Sequence, residues 1–329
     1  LTKGTKNFLN YIIGPILFIW LTWSIYQQIQ KQTDLQKSWQ FIVNAFNGPN
    51  NWLIVLVGLL MLVNLGMEAR KWQLQVRGIE TLSFFQAYKA VMAGQAVGLN
   101  TINRIGESAA RAAYLQEGNK IRGIMLSIVG SMAQMIATYG MSVLFLIYMR
   151  LYILHEGKQI EGLSNFWLNG LIYAIAMGIL LFTMAYFKIS VLIQLVEKIA
   201  IFRKYKFFLE KLEDFHWKTL VHILWLSIIR YFVILTQYYL LLQVFDISLF
   251  WLDAFALTGV MLLVLGIIPS IAFAELGLRG KVSLLLFGLV TTNDVGIIST
   301  AVGIWLINLI LPSIVGTLFI LGIRIFRNK

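Results

Sequence analysis

The sequence predicts an all-α, polytopic membrane protein: about six full transmembrane helices, plus two pairs of short or re-entrant helices forming an inverted repeat. Three observations carry that reading. Apolar residues make up 59% of the 329 and charged residues 13%, whereas soluble domains run at about 45–50% and about 25%. The charges gather between apolar runs at 52–67, 123–149, 167–187, 219–245 and 296–323 instead of interrupting them, and a helix needs ~20 apolar residues to cross hydrocarbon. Two segments in different halves also carry the same charged motif where an apolar stretch is broken. The ~10-residue alternating strands of a membrane barrel are not found.

The first helix is expected at about 9–29. Lys3 and Lys6 precede it, but Tyr26-Gln27-Gln28 is a poor cleavage site, so a retained helix is expected and not a removed signal peptide. A second helix follows at about 51–69, then two shorter Gly- and Ala-rich pieces at 84–102 and 107–117. Helices at about 122–150 and 167–187, an amphipathic stretch at 190–213 and a helix at 217–245 come next. Two further short pieces, 252–268 and 277–290, precede a last helix at 296–325. No Pro/Ser-rich linker or low-complexity tract divides the chain. One membrane domain over 1–329 is expected, with repeat halves of roughly 52–149 and 218–325.

A net charge of +12 on such a chain reports cytoplasmic loops and attraction to anionic headgroups; nucleic acid is not an expected partner. Twenty of the 27 Lys and Arg fall on one side of the predicted spans, among them Arg70, Lys71, Arg104 and Arg111. Only Lys31, Lys37, Arg150 and Lys158 fall on the other. The expectation is a multi-pass protein of the inner cell membrane with both termini cytoplasmic. The sequence has no cysteine, which excludes disulfides, thiolate chemistry and Cys-based metal sites. His155, His216 and His222 are scattered, so no metal is expected. There is no P-loop, HExxH, nucleophile elbow or dinucleotide fingerprint, so neither a cofactor nor enzymatic activity is expected. Gly94-Gln95-Ala96-Val97-Gly98 is a GxxxG pattern read as close helix packing within the chain. The aromatic-basic stretch 201–208 reads as an interfacial helix.

The repeated motif is the chemical signal. Gly106-Glu107-Ser108-Ala109-Ala110-Arg111 and Ala274-Glu275-Leu276-Gly277-Leu278-Arg279 both read small–Glu–three residues–Arg. On a helix that spacing puts acid and base on one face. Each copy follows a break, Asn100-Thr101-Ile102-Asn103 in one and Ile268-Pro269-Ser270 in the other. The predicted topology runs the two units in opposite directions, and broken helices in an inverted repeat mark the binding sites of transporters. Arg230 lies deep in the 217–245 helix. A central Arg costs at least ~2.5–3.5 kcal/mol to insert, so it needs an acidic or phosphate partner. Glu107 and Glu275 are the expected protein partners, with direct substrate contact the alternative. Glu68 is read as an interfacial charge near Arg70 and Lys71. The candidate substrate-binding set is therefore Arg111, Arg230, Arg279, Glu107 and Glu275, with Asn103, Arg104 and Pro269 at the breaks.

These residues carry a resemblance. The stretch from Asn100 to Leu115 is similar to a P-x-R-x-G-E-x-x-R-x-x-x-L signature, and Ile268 to Arg279 to an I-P-x-x-x-x-x-x-L-G-x-R-E signature. Both belong to the lysylphosphatidylglycerol synthase transmembrane-region family, a flippase-like domain also found in archaeal glycosylation-associated membrane proteins. The resemblance runs over essentially the whole chain, with two departures. The family's Pro before the first Arg is Asn or Ile here, and Gly280 stands where a Glu usually follows the second Arg. In the synthase this region moves an aminoacylated lipid between leaflets while a separate soluble domain makes it. No such domain is expected here, so the resemblance implies movement and not synthesis. The expected function is flippase-like transport of a phospholipid or polyprenyl-phosphate-type lipid, its headgroup held in a midplane cavity. Membrane lipids with anionic or zwitterionic headgroups are the expected partners, with a separate lipid- or glycan-modifying enzyme and an oligomer left open. The alternatives are a membrane-embedded enzyme acting on lipids and a non-transporting partner of a separate synthase.

Overall fold

The computed structural model describes residues 19–20, 23, 43, 48–101, 104–154, 164–190, 215–268 and 272–321, side chains at 165, 272–275 and 321 aside. Among them every regular element is helical. The helix expected at 9–29 and the amphipathic stretch at 190–213, including most of the aromatic-basic run, lie outside the described residues. In chain order the helices are α1 (Asn51–Val76), α2 (Phe84–Gly98), α3 (Gly106–Ala112), α4 (Lys120–Tyr148), α5 (Asn165–Phe187), α6 (Trp217–Val244), α7 (Trp251–Ile267), α8 (Ala272–Phe287), α9 (Asp294–Trp305) and α10 (Leu311–Leu321).

Five helical stretches among the described residues are long and apolar enough to cross a bilayer: α1, Glu117–Ile153 through α4, Phe166–Phe187 in α5, α6, and Asp294–Ile320 through α9 and α10. At a rise of about 1.5 Å per residue, the 15 residues of α2 and 17 of α7 fall short of a ~30 Å hydrocarbon core. The helix expected to end near 69 continues to Val76. Arg70, Lys71, Gln73 and Gln75 resemble a helix end in sequence. In the fold Lys71 and Gln75 turn inward and are buried, so the helix goes on.

Local chemistry explains several boundaries. Ser83 and Gln86 close a reciprocal capping box that starts α2. The helix from Asp294 widens into a π turn at Leu306–Ile310, closed by the Leu311 amide on the Leu306 carbonyl, just before Pro312. Proline lacks an amide hydrogen and clashes with the carbonyl four residues back, and a π turn is one way to absorb both effects.

The described elements form two units of similar contact pattern. In the first, α1 packs on α2, α2 on α3, α3 on α4, and α4 back on α1. In the second, α6 packs on α7, α7 on α8, α8 on α9, and α9 back on α6. The long helices α1 and α6 pack together, and each short helix then reaches into the other unit: α2 against α10, and α7 against α4. Hydroxyls tie α4, α6 and α7 at their crossing. Ser142 Oγ lies 3.0 Å from the Tyr231 hydroxyl and donates to the Gly259 carbonyl at 2.7 Å. The core beside it is built from residues such as Phe145, Leu235, Tyr238 and Met261.

The α2–α10 contact is backbone on backbone. A Cβ at Gly316 would lie 2.0 Å from the Met92 carbonyl oxygen. Because a carbonyl inside a helix cannot swing aside, Gly316→Ala should push α10 off α2. It should destabilise the protein by the ~1–3 kcal/mol of an overpacked core, read as a lower thermal midpoint in detergent.

Candidate functional site

One cavity of about 530 Å³ gathers the charged residues from four helices and the α2–α3 link. On α1, Asn64, Glu68, Lys71 and Gln75 recur at spacings of four, three and four and so share one face, and the last three line the cavity. All four are buried, at 7, 5, 2 and 2% exposure. Ser127, Ser131 and Gln134 face the cavity from α4, and Arg230 enters from α6.

Glu68 is the hub. Its Oε1 takes Arg111 Nη1 at 2.5 Å, and its Oε2 takes Lys71 Nζ at 2.8 Å and also Arg230. Arg230 further donates to Asn64 Oδ1 at 2.8 Å and Gln134 Oε1 at 3.1 Å. The second guanidinium nitrogen of Arg111 reaches Glu107 Oε2 at 2.8 Å, and Arg104 pairs with Glu107 and donates to Gln95. Arg279 comes from α8, buried, and donates to the Tyr238 hydroxyl. The described lining thus holds five cations and two carboxylates, which pair with Lys71, Arg104, Arg111 and Arg230. Each buried charge has an opposite charge or a hydrogen bond, as burial demands, and the formal sum stays positive.

The α2–α3 link is shaped to deliver these side chains. Arg104 adopts φ 59°, the left-handed region that L residues rarely enter. The Thr101 hydroxyl accepts from the Gly106 amide at 3.0 Å and fixes the turn. The GxxxG glycines then make room. A Cβ at Gly98 would lie 2.3 Å from Glu107 Cγ, and one at Gly94 would lie 3.0 Å from Arg111 Cγ. The pattern packs α3 against α2 within the chain, as its sequence spacing indicates.

The structure brings together Arg104, Glu107, Arg111, Arg230 and Arg279 of the candidate set. Glu275 sits on α8 four residues before Arg279, its side chain outside the described set, and Asn103 and Pro269 lie outside the described residues. Three readings are corrected. The carboxylate bound to Arg230 is Glu68, not Glu107 or Glu275. Glu68 itself is no interfacial charge: it is buried at the centre of the cluster, while exposed Arg70 bonds Gln73 instead. Lys71, Arg104 and Arg111, counted among the twenty cations of one membrane face, line the cavity instead; seventeen against four keeps the same sign. The signal missed was the polar stripe Asn64–Glu68–Lys71–Gln75, whose periodicity marks one helix face.

No family model and no curated protein matches the chain. The functional reading therefore rests on the cavity's own chemistry. The same cavity also has an apolar wall, made by Met135 and Tyr139 of α4, Leu262 and Leu265 of α7, and Ile268. Tyr139 closes it by donating to the Gly266 carbonyl at 2.7 Å. Met135 and Ile268 are 42 and 40% exposed, so the apolar wall continues onto the outer surface. A ligand here would meet both cationic and aliphatic side chains.

Proposed function

We propose that this chain moves a membrane lipid between leaflets, holding its phosphate-bearing headgroup in the charged cavity while the acyl chains stay along the apolar wall. The lining of one cavity by both cationic and aliphatic side chains is the observation that carries this reading. A small soluble anion has no use for Met135, Leu262, Leu265 and Ile268 in the lining, whereas an amphiphile matches both kinds of side chain. The volume fits a headgroup, within the ~300–1,000 Å³ common to small-ligand sites.

In this reading Arg111, Arg230 and Arg279 bind phosphate oxygens, and Glu68 and Glu107 hold the Arg side chains. The matching contact patterns of the two units support an inverted repeat, with α2–α3 and α7–α8 as its short pairs meeting near the membrane midplane. The charge imbalance supports cytoplasmic termini in an inner cell membrane. The resemblance to the flippase-like domain points the same way. Membrane-embedded enzymology is less well supported, because both described cavity carboxylates are engaged by Arg side chains.

The test is reconstitution into liposomes carrying an anionic phospholipid with a fluorescent headgroup, quenched from outside. Translocation should exceed that of protein-free liposomes. Arg279→Gln should slow it about tenfold or more, the worth of one charged hydrogen bond. Unchanged bilayer asymmetry with well-folded protein would refute translocation. Chemically altered lipid recovered from the vesicles would favour the enzyme instead.

A further inference from the structure

Gln75 points to a second binding site. It is 2% exposed, and neither its Oε1 nor its Nε2 has a hydrogen-bond partner among the described residues. A buried amide left so is destabilising unless a ligand or water meets it. Its position is built, because a Cβ at Gly130 on α4 would fall 1.9 Å from Gln75 Nε2. Only glycine leaves room for the amide head between α1 and α4.

Gln75 lines two cavities. One is the charged cavity; the other, of about 350 Å³, lies beyond the last turn of α1 and reaches the start of α6. The polar side chains of this second pocket are Gln75, Arg77, His216 and Thr219, and its described lining includes neither Asp nor Glu. His216 caps α6, its Nδ1 accepting from the Lys218 amide at 3.3 Å. The 28-residue α6 turns the positive end of its dipole toward this point. Arg77, the start of α6 and the Gln75 side chain all line one space.

We propose that the second pocket is an oxyanion site in series with the charged cavity, joined to it through Gln75. Its ligand is a phosphate-type group, carried either by a lipid headgroup or by free phosphate. Arg77 supplies charge and Gln75 Nε2 a directional donor, so a ligand moving between the two sites passes Gln75. The inference goes beyond lipid translocation, and its test requires no transport.

The chain lacks cysteine, so Thr219→Cys gives a single reporter in the second pocket. In lipid-free maltoside micelles its modification by a sulfonate-bearing thiosulfonate reagent is timed with and without inorganic phosphate, and separately with dihexanoyl phosphatidic acid. Phosphate should slow modification about tenfold, an effect lost on adding Arg77→Gln or Gln75→Leu. Protection by the short lipid at far lower concentration identifies a headgroup site, and protection by phosphate alone a free-anion site. Should Gln75→Leu fail to fold, Gly130→Ala displaces the amide without deleting it and should likewise abolish protection. Absence of protection, or protection that survives loss or displacement of the Gln75 amide, overturns the proposal.

Discussion

Glu68→Gln is expected to unsettle the protein more than any other single change in the cavity. Glutamine keeps the size and one acceptor but removes the charge that three cations share. Arg111 still has Glu107, but Lys71 and Arg230 lose their carboxylate. Breaking a buried pair by removing one partner costs about 3–5 kcal/mol, because the survivor stays charged and buried. The measurement is the monodisperse fraction and thermal midpoint in mild detergent. Adding Arg230→Gln should recover part of the loss, since it removes one of the two stranded charges. If Glu68→Gln elutes and melts like the parent, Glu68 is not the hub.

The double change Glu107→Gln with Arg111→Gln should behave differently: folded but inactive. With Arg111 gone, Glu68 retains Lys71 and Arg230. Arg104 loses Glu107 but keeps Gln95 and is one-third exposed, so solvent still reaches it. No deeply buried charge is left alone. A headgroup phosphate, however, would lose a planar two-pronged donor, and charged hydrogen bonds are worth about 1.5–3 kcal/mol each. Translocation should fall roughly ten- to a hundredfold while the elution profile stays intact. Arg111→Lys alone should fall between, keeping charge but not the fork. Full transport by a well-folded double variant would remove this pair from the mechanism and leave Arg230 and Arg279 to carry it.

How much of this could be read from the residues depended on distance along the chain. Long apolar runs announced α1, α4, α5, α6 and the α9–α10 rod, because a bilayer demands them. The Glu107–Arg111 pair was legible because its partners are four residues apart, within reach of local spacing. Arg230 stood out because Arg is expensive inside an apolar helix. Its partner did not, because Glu68 lies 162 residues away and the two meet only through the packing of α1 on α6. Glu68 was further hidden by its neighbours: beside Arg70, Lys71 and Gln73, a carboxylate looks like the end of a helix. Periodicity resolves the confusion, since Lys71 shares the Glu68 face and Arg70 does not. The apolar wall had no signature at all, because Met, Leu and Ile in a membrane helix read alike whether they face lipid, core or ligand.

The order in which the chain is made gives Lys71 a role separate from any ligand. Glu68 leaves the ribosome 43 residues before Arg111 and 162 residues before Arg230. At about 5–20 residues per second, Arg230 follows roughly ten to thirty seconds behind. A lone carboxylate near the middle of a nascent helix is costly to insert. Lys71 is the only one of the three cations carried on the same helix, 2.8 Å from Glu68 at i,i+3. It is the counter-ion present from the start, so α1 enters the membrane already neutralised there. The later arginines join a carboxylate that has never been alone.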